Sequence, residues 1–407
     1  MATQGHSREV VVLSGKRTGF GTFGGSLKDF TATDLGVFSS QAAIEAAGIT
    51  PSQVDQTFVG NALQTSADSI YLARHVALRS GVPQDRPALT VNRLCGSGFE
   101  AVVQGAKEIV LGEADVCLTG GTESMSQAPH VVRGARWGKA LRLGPAGSNL
   151  EDLLWEALLD TNCDLTMAQT AEELADRYAV TREEADQVAV SSHQRAKAAW
   201  DNGYFDAEIA EIVIKSRKGE RVYATDEHIR PDTNMESLSG LRPYFRKDGL
   251  VTAGNASGIG DGAASAVLAS AEWAEANGVN PIGRILSWGF VGVEPKVMGI
   301  GPAPAARIAL EKAGLSLEDI DLVEVNEAFA PQYKAVEKEL GLDPDRTNVN
   351  GGAIGLTHPL AASGARITIN LLHELRRRGG RLGLGSACIC LLYTSDAADE
   401  GLGVDLG

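Results

Sequence analysis

The feature that most restricts this chain is that its sequence is written twice. Residues 42–55, AAIEAAGITPSQVD, are matched by residues 308–321, IALEKAGLSLEDID, and each copy ends a helical stretch on Ala-Gly before a capped step to an aspartate. The spacing from Gly48 to Asp55 recurs from Gly314 to Asp321. Each copy then runs through a short apolar stretch to an asparagine, Asn61 in TFVGNAL and Asn326 in LVEVNEAF. Repetition that preserves order as well as composition predicts two halves of similar fold.

A second matched pair follows the first. Val91-Asn92 leads through CGSG into the helical stretch FEAVVQGAKEIVLGE and the strand ADVCLTGG, and Val349-Asn350 leads through GGAIGLTHPLAASG into ARITINLLHELRRRGG and the strand RLGLGSACI. Strands alternating with helices at these lengths predict an α/β fold of parallel sheets with helices on their faces. Ligand sites of such sheets lie at the carboxyl ends of the strands, where both asparagine-bearing turns converge.

Between the halves, residues 126–250 have no counterpart in either copy and read as an inserted loop domain. Thr181 and Glu184 form a capping box ahead of EEADQVAVSSHQRAKAAW, whose apolar positions recur at helical spacing. His193 on that helix reads as a surface residue, and Arg376-Arg377-Arg378 as a solvated helix C-terminus favoured by the macrodipole. A net charge of −15 over 407 residues argues against a nucleic-acid partner, which needs clustered basic residues. No run approaches the ~18 consecutive apolar residues of a membrane span, and the opening MATQGHSREVVV lacks a signal pattern, so a soluble, intracellular protein is expected.

Five cysteines, Cys95, Cys117, Cys163, Cys388 and Cys390, are an odd number in a long chain and fit free thiols in a reducing compartment better than a disulfide framework. Cys95 follows a β-type run and precedes a Gly-Ser-Gly turn that opens a helix. A thiol there meets the free N–H groups and dipole of a helix N-terminus, which favour the thiolate; the alternative is a buried packing cysteine. His358, in GLTHPLAAS, stands in the turn of the second half that answers the turn of Cys95, where an imidazole can take the thiol proton or serve structure alone. Cys388 ends an apolar strand, and Asn326 offers an amide able to hold a water or an oxyanion. Cys388 and Cys390 could suggest a metal pair, but no further cluster at ligand spacing accompanies them, so no metal is expected.

The segments CGSGFEAV, GGTESMSQAP, VTAGNASG, VEVNEAFAPQY and NVNGGAI with the His-Pro turn resemble the thiolase family over about residues 8–389, most closely its mitochondrial-type 3-ketoacyl-CoA branch and bacterial relatives, which share VVRGARWG, DEHIRP and MGIGPAPA. That resemblance implies the thiolase fold: two duplicated βαβαβαββ halves in a five-layered αβαβα arrangement. The N-terminal half would span residues 1–125 and 251–277, the CoA-binding loop domain 126–250, and the C-terminal half 278–389. It further implies an acyltransferase that cleaves 3-ketoacyl-CoA with coenzyme A, or condenses acyl-CoA with acetyl-CoA, by a ping-pong acyl-cysteine route. Coenzyme A is then a co-substrate, no bound cofactor is needed, and the assembly is a homodimer or homotetramer, cytoplasmic in a bacterium or in the mitochondrial matrix of a eukaryote. The implied roles are nucleophile for Cys95, base for His358, carbon acid and base for Cys388, and a water-holding oxyanion site for Asn326 with His358. A second oxyanion hole would use the N–H groups of Cys95 and residue 390. Arg230, Ser257, Met167 and Phe329 would line the pantetheine and acyl channel, with Arg230 facing the nucleotide; an ion pair with Asp226 or Glu227 is the alternative for Arg230, and packing or turn roles for the other three.

Several positions depart from the family's pattern. Thr357 and Ala361 stand where glycine is usual, Gly260 where asparagine is usual, and Thr166 where acetoacetyl-specific members have histidine. After Ile389 the chain reads CLLYTSDAADEGLGVDLG in place of a glycine run and a final apolar strand, so residues 390–407 are set apart as an aberrant tail that reads like translated sequencing-adapter DNA. A catalytically impaired thiolase-like scaffold is the alternative that this tail raises.

Overall fold

The structure, a computed structural model, describes residues 8–137, 150–217, 219–389 and 399–405. The N-terminal half runs β1 (Val10–Thr18), α1 (Ala32–Ala46), β2 (Gln56–Gly60), α2 (Leu72–Arg79), β3 (Ala88–Val91), α3 (Ser97–Leu111), β4 (Val116–Ser124) and, after the inserted segment, β5 (Gly260–Ser270). The inserted segment contributes α4 (Met167–Arg177) and α5 (Arg182–Asp201). The C-terminal half runs β6 (Gly283–Val291), α6 (Pro302–Ala313), β7 (Leu322–Val325), α7 (Ala330–Leu340), α8 (Ala362–Arg378), β8 (Leu382–Ala387) and β9 (Asp399–Asp405). The predicted duplication is visible down to backbone angles: Gly48 and Gly314, which close α1 and α6, both have φ 68°, and both are followed by a capping box, on Thr50 and Ser316.

All these strands belong to one sheet in the order β7-β8-β9-β6-β1-β5-β4-β2-β3. The halves join where Val10–Val12 of β1 pair antiparallel with Gly283–Ile285 of β6. Contrary to the expectation of parallel sheets, each half is mixed. β2 and β4 run parallel, as do β7 and β8, but β5 and β9 enter antiparallel. The crossover helices that parallel strands require are present up to β4 and β8.

α3 and α8 pack against each other and against strands of both halves, while α1 lies on strands of the first half and α6 on those of the second, which gives the five layers αβαβα. Glycine permits the central crossing. A Cβ on Gly98 would stand 2.5 Å from the Ala365 nitrogen, and one on Gly364 2.5 Å from the Phe99 nitrogen, so the helix N-termini touch backbone to backbone. The core under them, with Phe99, Val102, Ile367, Ile369 and Leu371, draws on both halves.

The inserted segment is tied to both halves by a buried polar network. The Arg17 guanidinium on β1, with no exposed surface, contacts Glu208 at 2.5 Å and Asp226 at 2.7 Å, and Glu208 also accepts from Asn370 of α8 at 3.0 Å. The capping box on Thr181 is formed and starts the 20-residue helix α5. His193, expected at the surface, is only 2% exposed: its face of α5 packs toward the segment that carries His228 and Arg230, a contact that helical period alone does not reveal.

The tail, residues 390–407, is described only in part. Residues 390–398, and with them the proposed N–H of residue 390, lie outside the described residues; Asp399–Asp405 form β9 between β8 and β6. Among the described residues no helix is long and apolar enough to cross a membrane.

Candidate active site

The two asparagine turns and the two glycine-rich turns meet where the N-termini of α3 and α8 touch. Cys95 lies in a single 3₁₀ turn (Leu94–Gly96) directly ahead of α3 and is 1% exposed. Leu94, before it, has φ 50°, and Thr357, before His358, has φ 86°. Each half therefore presents its reactive residue from a backbone kink in a region that residues with a Cβ avoid, a form of strain that collects at functional sites.

The imidazole of His358 is fixed at both nitrogens. Nδ1 lies 2.5 Å from Ser363 Oγ, whose hydroxyl donates to the Pro359 carbonyl at 3.2 Å, and Nε2 lies 3.3 Å from Asn326 Nδ2. Because the serine proton is engaged with Pro359 and the asparagine amide donates to Nε2, the ring proton sits on Nδ1. Nε2 is then the acceptor, its lone pair shared with the Asn326 amide. Asn326 Oδ1 is buried without a hydrogen-bond partner, an acceptor left over for a water or substrate group.

Cys95 and His358 open onto one cavity of about 540 Å³, whose lining is mostly apolar. Met167, Ser257, Phe329 and Arg230, the four residues expected along the channel, line the same cavity. Met167 is the first residue of α4, which Thr166 starts with a capping box to Gln169. Ser257 and Phe329 are placed by a short antiparallel pairing: Ser257 N–H donates to the Ala328 carbonyl at 3.0 Å and Ala330 N–H to the Asn255 carbonyl at 2.9 Å. Arg230 is exposed at the rim. The carboxylates offered as its alternative partners are engaged elsewhere, Asp226 with Arg17 and Glu227 with Thr22 and the Ser26 N–H. Cys388 and Asn326 lie behind the cavity wall: Cys388 is fully buried in the cluster that also holds Cys95, Met125, Met167 and Leu360, and Asn326 reaches the site through His358. The cysteines and the imidazole are thus brought to one place by two halves more than 260 residues apart along the chain.

The structure adds groups that the sequence did not single out. Trp155, Tyr244 and Phe245 line the cavity, and His228, inside the quoted DEHIRP, lines it beside Arg230. Burial pushes His228 and His193 down to about 4, and Arg230 nearby adds to the shift in both; both rings are therefore neutral at physiological pH. The aromatic residues carried no signal beyond composition, because only the folded loop domain brings them over the site.

Three of the departures noted in the sequence are accounted for locally. Ala361 has φ −72° and ψ −20°, where a Cβ is free of strain. Gly260 and Thr357 complement each other: a Cβ on residue 260 would lie 2.8 Å from Thr357 Cγ2 and 2.3 Å from the Gly21 carbonyl oxygen, so the missing side chain at 260 makes room for the extra one at 357.

Comparison with known proteins agrees with this architecture. The family model described as "Thiolase, N-terminal domain" matches residues 10–272, and "Thiolase, C-terminal domain" matches residues 279–396. Human mitochondrial 3-ketoacyl-CoA thiolase is 56% identical over 384 residues, 94% of this chain and 96% of that protein, and the beta-ketothiolase BktB of Cupriavidus necator is 48% identical over the same shares. The crystal structure of the human mitochondrial enzyme superimposes with a TM-score of 0.94 at 53% identity, covering 98% of this chain and 99% of that one; the same enzyme in complex with CoA gives 0.93 at 52% identity over 98% of each. The fold and the paired reactive turns define an acyltransferase of the condensing and thiolytic kind. The chain belongs to the thiolase family. Its relatives over nearly the whole length carry enzyme names, and nothing among the described residues favours the impaired scaffold.

Proposed function

We propose that this thiolase cleaves 3-ketoacyl-CoA with coenzyme A to acetyl-CoA and a shortened acyl-CoA, and runs the reverse condensation, through an acyl-Cys95 intermediate. The observation that carries the reading is the shared cavity: a thiol at a helix N-terminus and an imidazole held by Ser363 and Asn326 both face one apolar space of about 540 Å³.

In the forward direction His358 takes the Cys95 proton and the thiolate sulfur adds to the 3-keto carbon. The bond between the α and β carbons breaks, its electron pair leaves on acetyl-CoA, and Cys388 supplies the proton that completes that product. The sulfur of coenzyme A then attacks the acyl-Cys95 carbonyl, its thiol proton passing to the Cys388 thiolate left by the first half, and Cys95 departs as thiolate and recovers its proton from His358. Asn326 and His358 would stabilise the oxygen that becomes negative at the thioester carbonyl. Met167, Ser257 and Phe329 would contact the pantetheine and acyl chain, and Arg230 at the rim would meet the anionic nucleotide, consistent with a relative being crystallised with CoA. A homodimer or homotetramer is part of this reading, as is a place in fatty-acid β-oxidation, in the mitochondrial matrix if the source is eukaryotic or the cytoplasm if bacterial.

Thiolysis of acetoacetyl-CoA, followed by loss of its enolate absorbance, tests the proposal with Cys95→Ala as control. Robust turnover in the parent protein and none in the variant is expected; a variant as active as the parent removes Cys95 from the nucleophile's role.

A further inference from the structure

Strand register places a buried carboxyl in the first half where the second half has Cys388. Gly60 pairs with Gly121 across β2 and β4, and Val325 pairs with Ser386 across β7 and β8. One residue past each first-named partner stand Asn61 and Asn326, and two residues past the second stand Glu123 and Cys388. The reaction described above uses Asn326 and Cys388 and leaves their counterparts unassigned.

Glu123 is fully buried, and its two oxygens collect four donors. Oε1 accepts from Asn61 Nδ2 and from the Leu63 N–H, both at 2.9 Å. Oε2 accepts from the Ala62 N–H and from the Ala361 N–H, both at 3.1 Å. The first three donors belong to the asparagine turn of the N-terminal half; the fourth closes the His-Pro turn of the C-terminal half, three residues after His358. One carboxylate therefore ties together turns from opposite halves at the place where Cys95 and His358 must meet. A neutral amide in its place could not accept all four donors. Burial pushes the carboxyl up to about 7 against the pull of its backbone donors, and the nearby charge of Cys95 adds to the rise, which puts the carboxyl within electrostatic reach of the thiol. Other titratable groups on adjoining elements are His358, in the turn that carries Ala361, and Asp261 of β5, whose carboxylate is held by Ser126.

We propose that Glu123 is a positioning residue for the Cys95–His358 pair, a carboxylate clamp that sets the nucleophile-bearing half in register with the base-bearing turn. The inference rests on the roles proposed for Cys95 and His358, and it goes beyond them in naming what holds them in place.

The test uses Glu123→Gln and Asn61→Ala in the full-length chain, with acetoacetyl-CoA thiolysis normalised to the number of Cys95 sites that stoichiometric iodoacetamide labels. Glu123→Gln is expected to lower kcat per labelled site by roughly ten- to a hundredfold while KM stays within about threefold, the signature of misplaced reacting groups in an intact binding cavity. Asn61→Ala removes one of the four donors and should lower kcat per site by roughly three- to tenfold at unchanged KM, and the double variant should be no worse than Glu123→Gln. A purely structural role would reduce the labelled fraction and leave kcat per site alone; that result, or a per-site kcat within about twofold of the parent, overturns the proposal. Should Glu123→Gln fail to fold, Asn61→Ala decides by the same criterion. A parent protein without thiolysis would sink the functional reading itself, whereas an active parent with unaffected variants sinks only the clamp.

Discussion

Thr357→Gly should be more stable than Thr357→Ala, the reverse of the usual order. At an unstrained position glycine is less favourable than alanine by about 0.5–1 kcal/mol, because its unfolded chain has more freedom to lose. Thr357, however, has φ 86° and ψ 168°, a region almost reserved for glycine, and holding a residue with a Cβ there costs about 1–3 kcal/mol. Both substitutions forfeit the same hydrogen bond, from Thr357 Oγ1 to the Gly258 carbonyl at 2.6 Å, and the same buried methyl. The Gly258 oxygen keeps the His358 N–H at 2.9 Å, so neither variant leaves an orphaned acceptor. The hydrogen-bond and methyl losses cancel in the comparison, and about 1–3 kcal/mol of strain relieved only by glycine, less its entropy cost and the buried Cβ that alanine keeps, leaves it ahead by up to about 1 kcal/mol. Urea unfolding of both variants at one fixed protein concentration reads the difference, the fixed concentration removing any contribution from subunit association. An alanine variant as stable as the glycine variant, or more so, would show that the turn carrying His358 is not strained and that the argument from backbone angles is wrong.

Acid should destabilise the protein through His193 and His228. Their folded values near 4 lie below the ordinary 6.5, so between those limits the unfolded chain binds protons that the folded rings refuse, and stability falls as pH drops through that window, reaching its full loss below about 4. His193→Gln retains an acceptor for the Arg230 N–H and should partly flatten a plot of melting temperature against pH in this range; an unchanged slope would exclude His193 as a cause. Cys388→Ala should stop exchange of the acetyl-CoA α-protons with deuterated water while Cys95 can still be acylated by acetyl-CoA. If exchange persists at the parent rate, another group moves the carbon-bound proton.

What the sequence determined alone was what local pattern encodes. The duplication, the helices closed by Gly48 and Gly314, the capping boxes on Thr181 and Thr50, and the order of the two reactive turns all follow from residues within a few positions of one another. That the turns of Cys95 and His358 would meet was legible because a duplicated chain places corresponding turns at corresponding strand ends, a long-range constraint that a single copy lacks; the roles expected of Cys388 and Asn326 came only from the family resemblance. Tertiary structure decided the rest. The antiparallel entry of β5 and β9 depends on strand partners, which hydrophobic pattern does not specify, and the burial of His193 on which elements pack against one face of α5. The convergence of four donors on Glu123 joins residues 61–63 to residue 361, and the fit of Thr357 over Gly260 joins positions nearly a hundred residues apart. Contacts at such separations carry no periodicity; they exist only after the chain has closed its loops and brought the N-termini of α3 and α8 together.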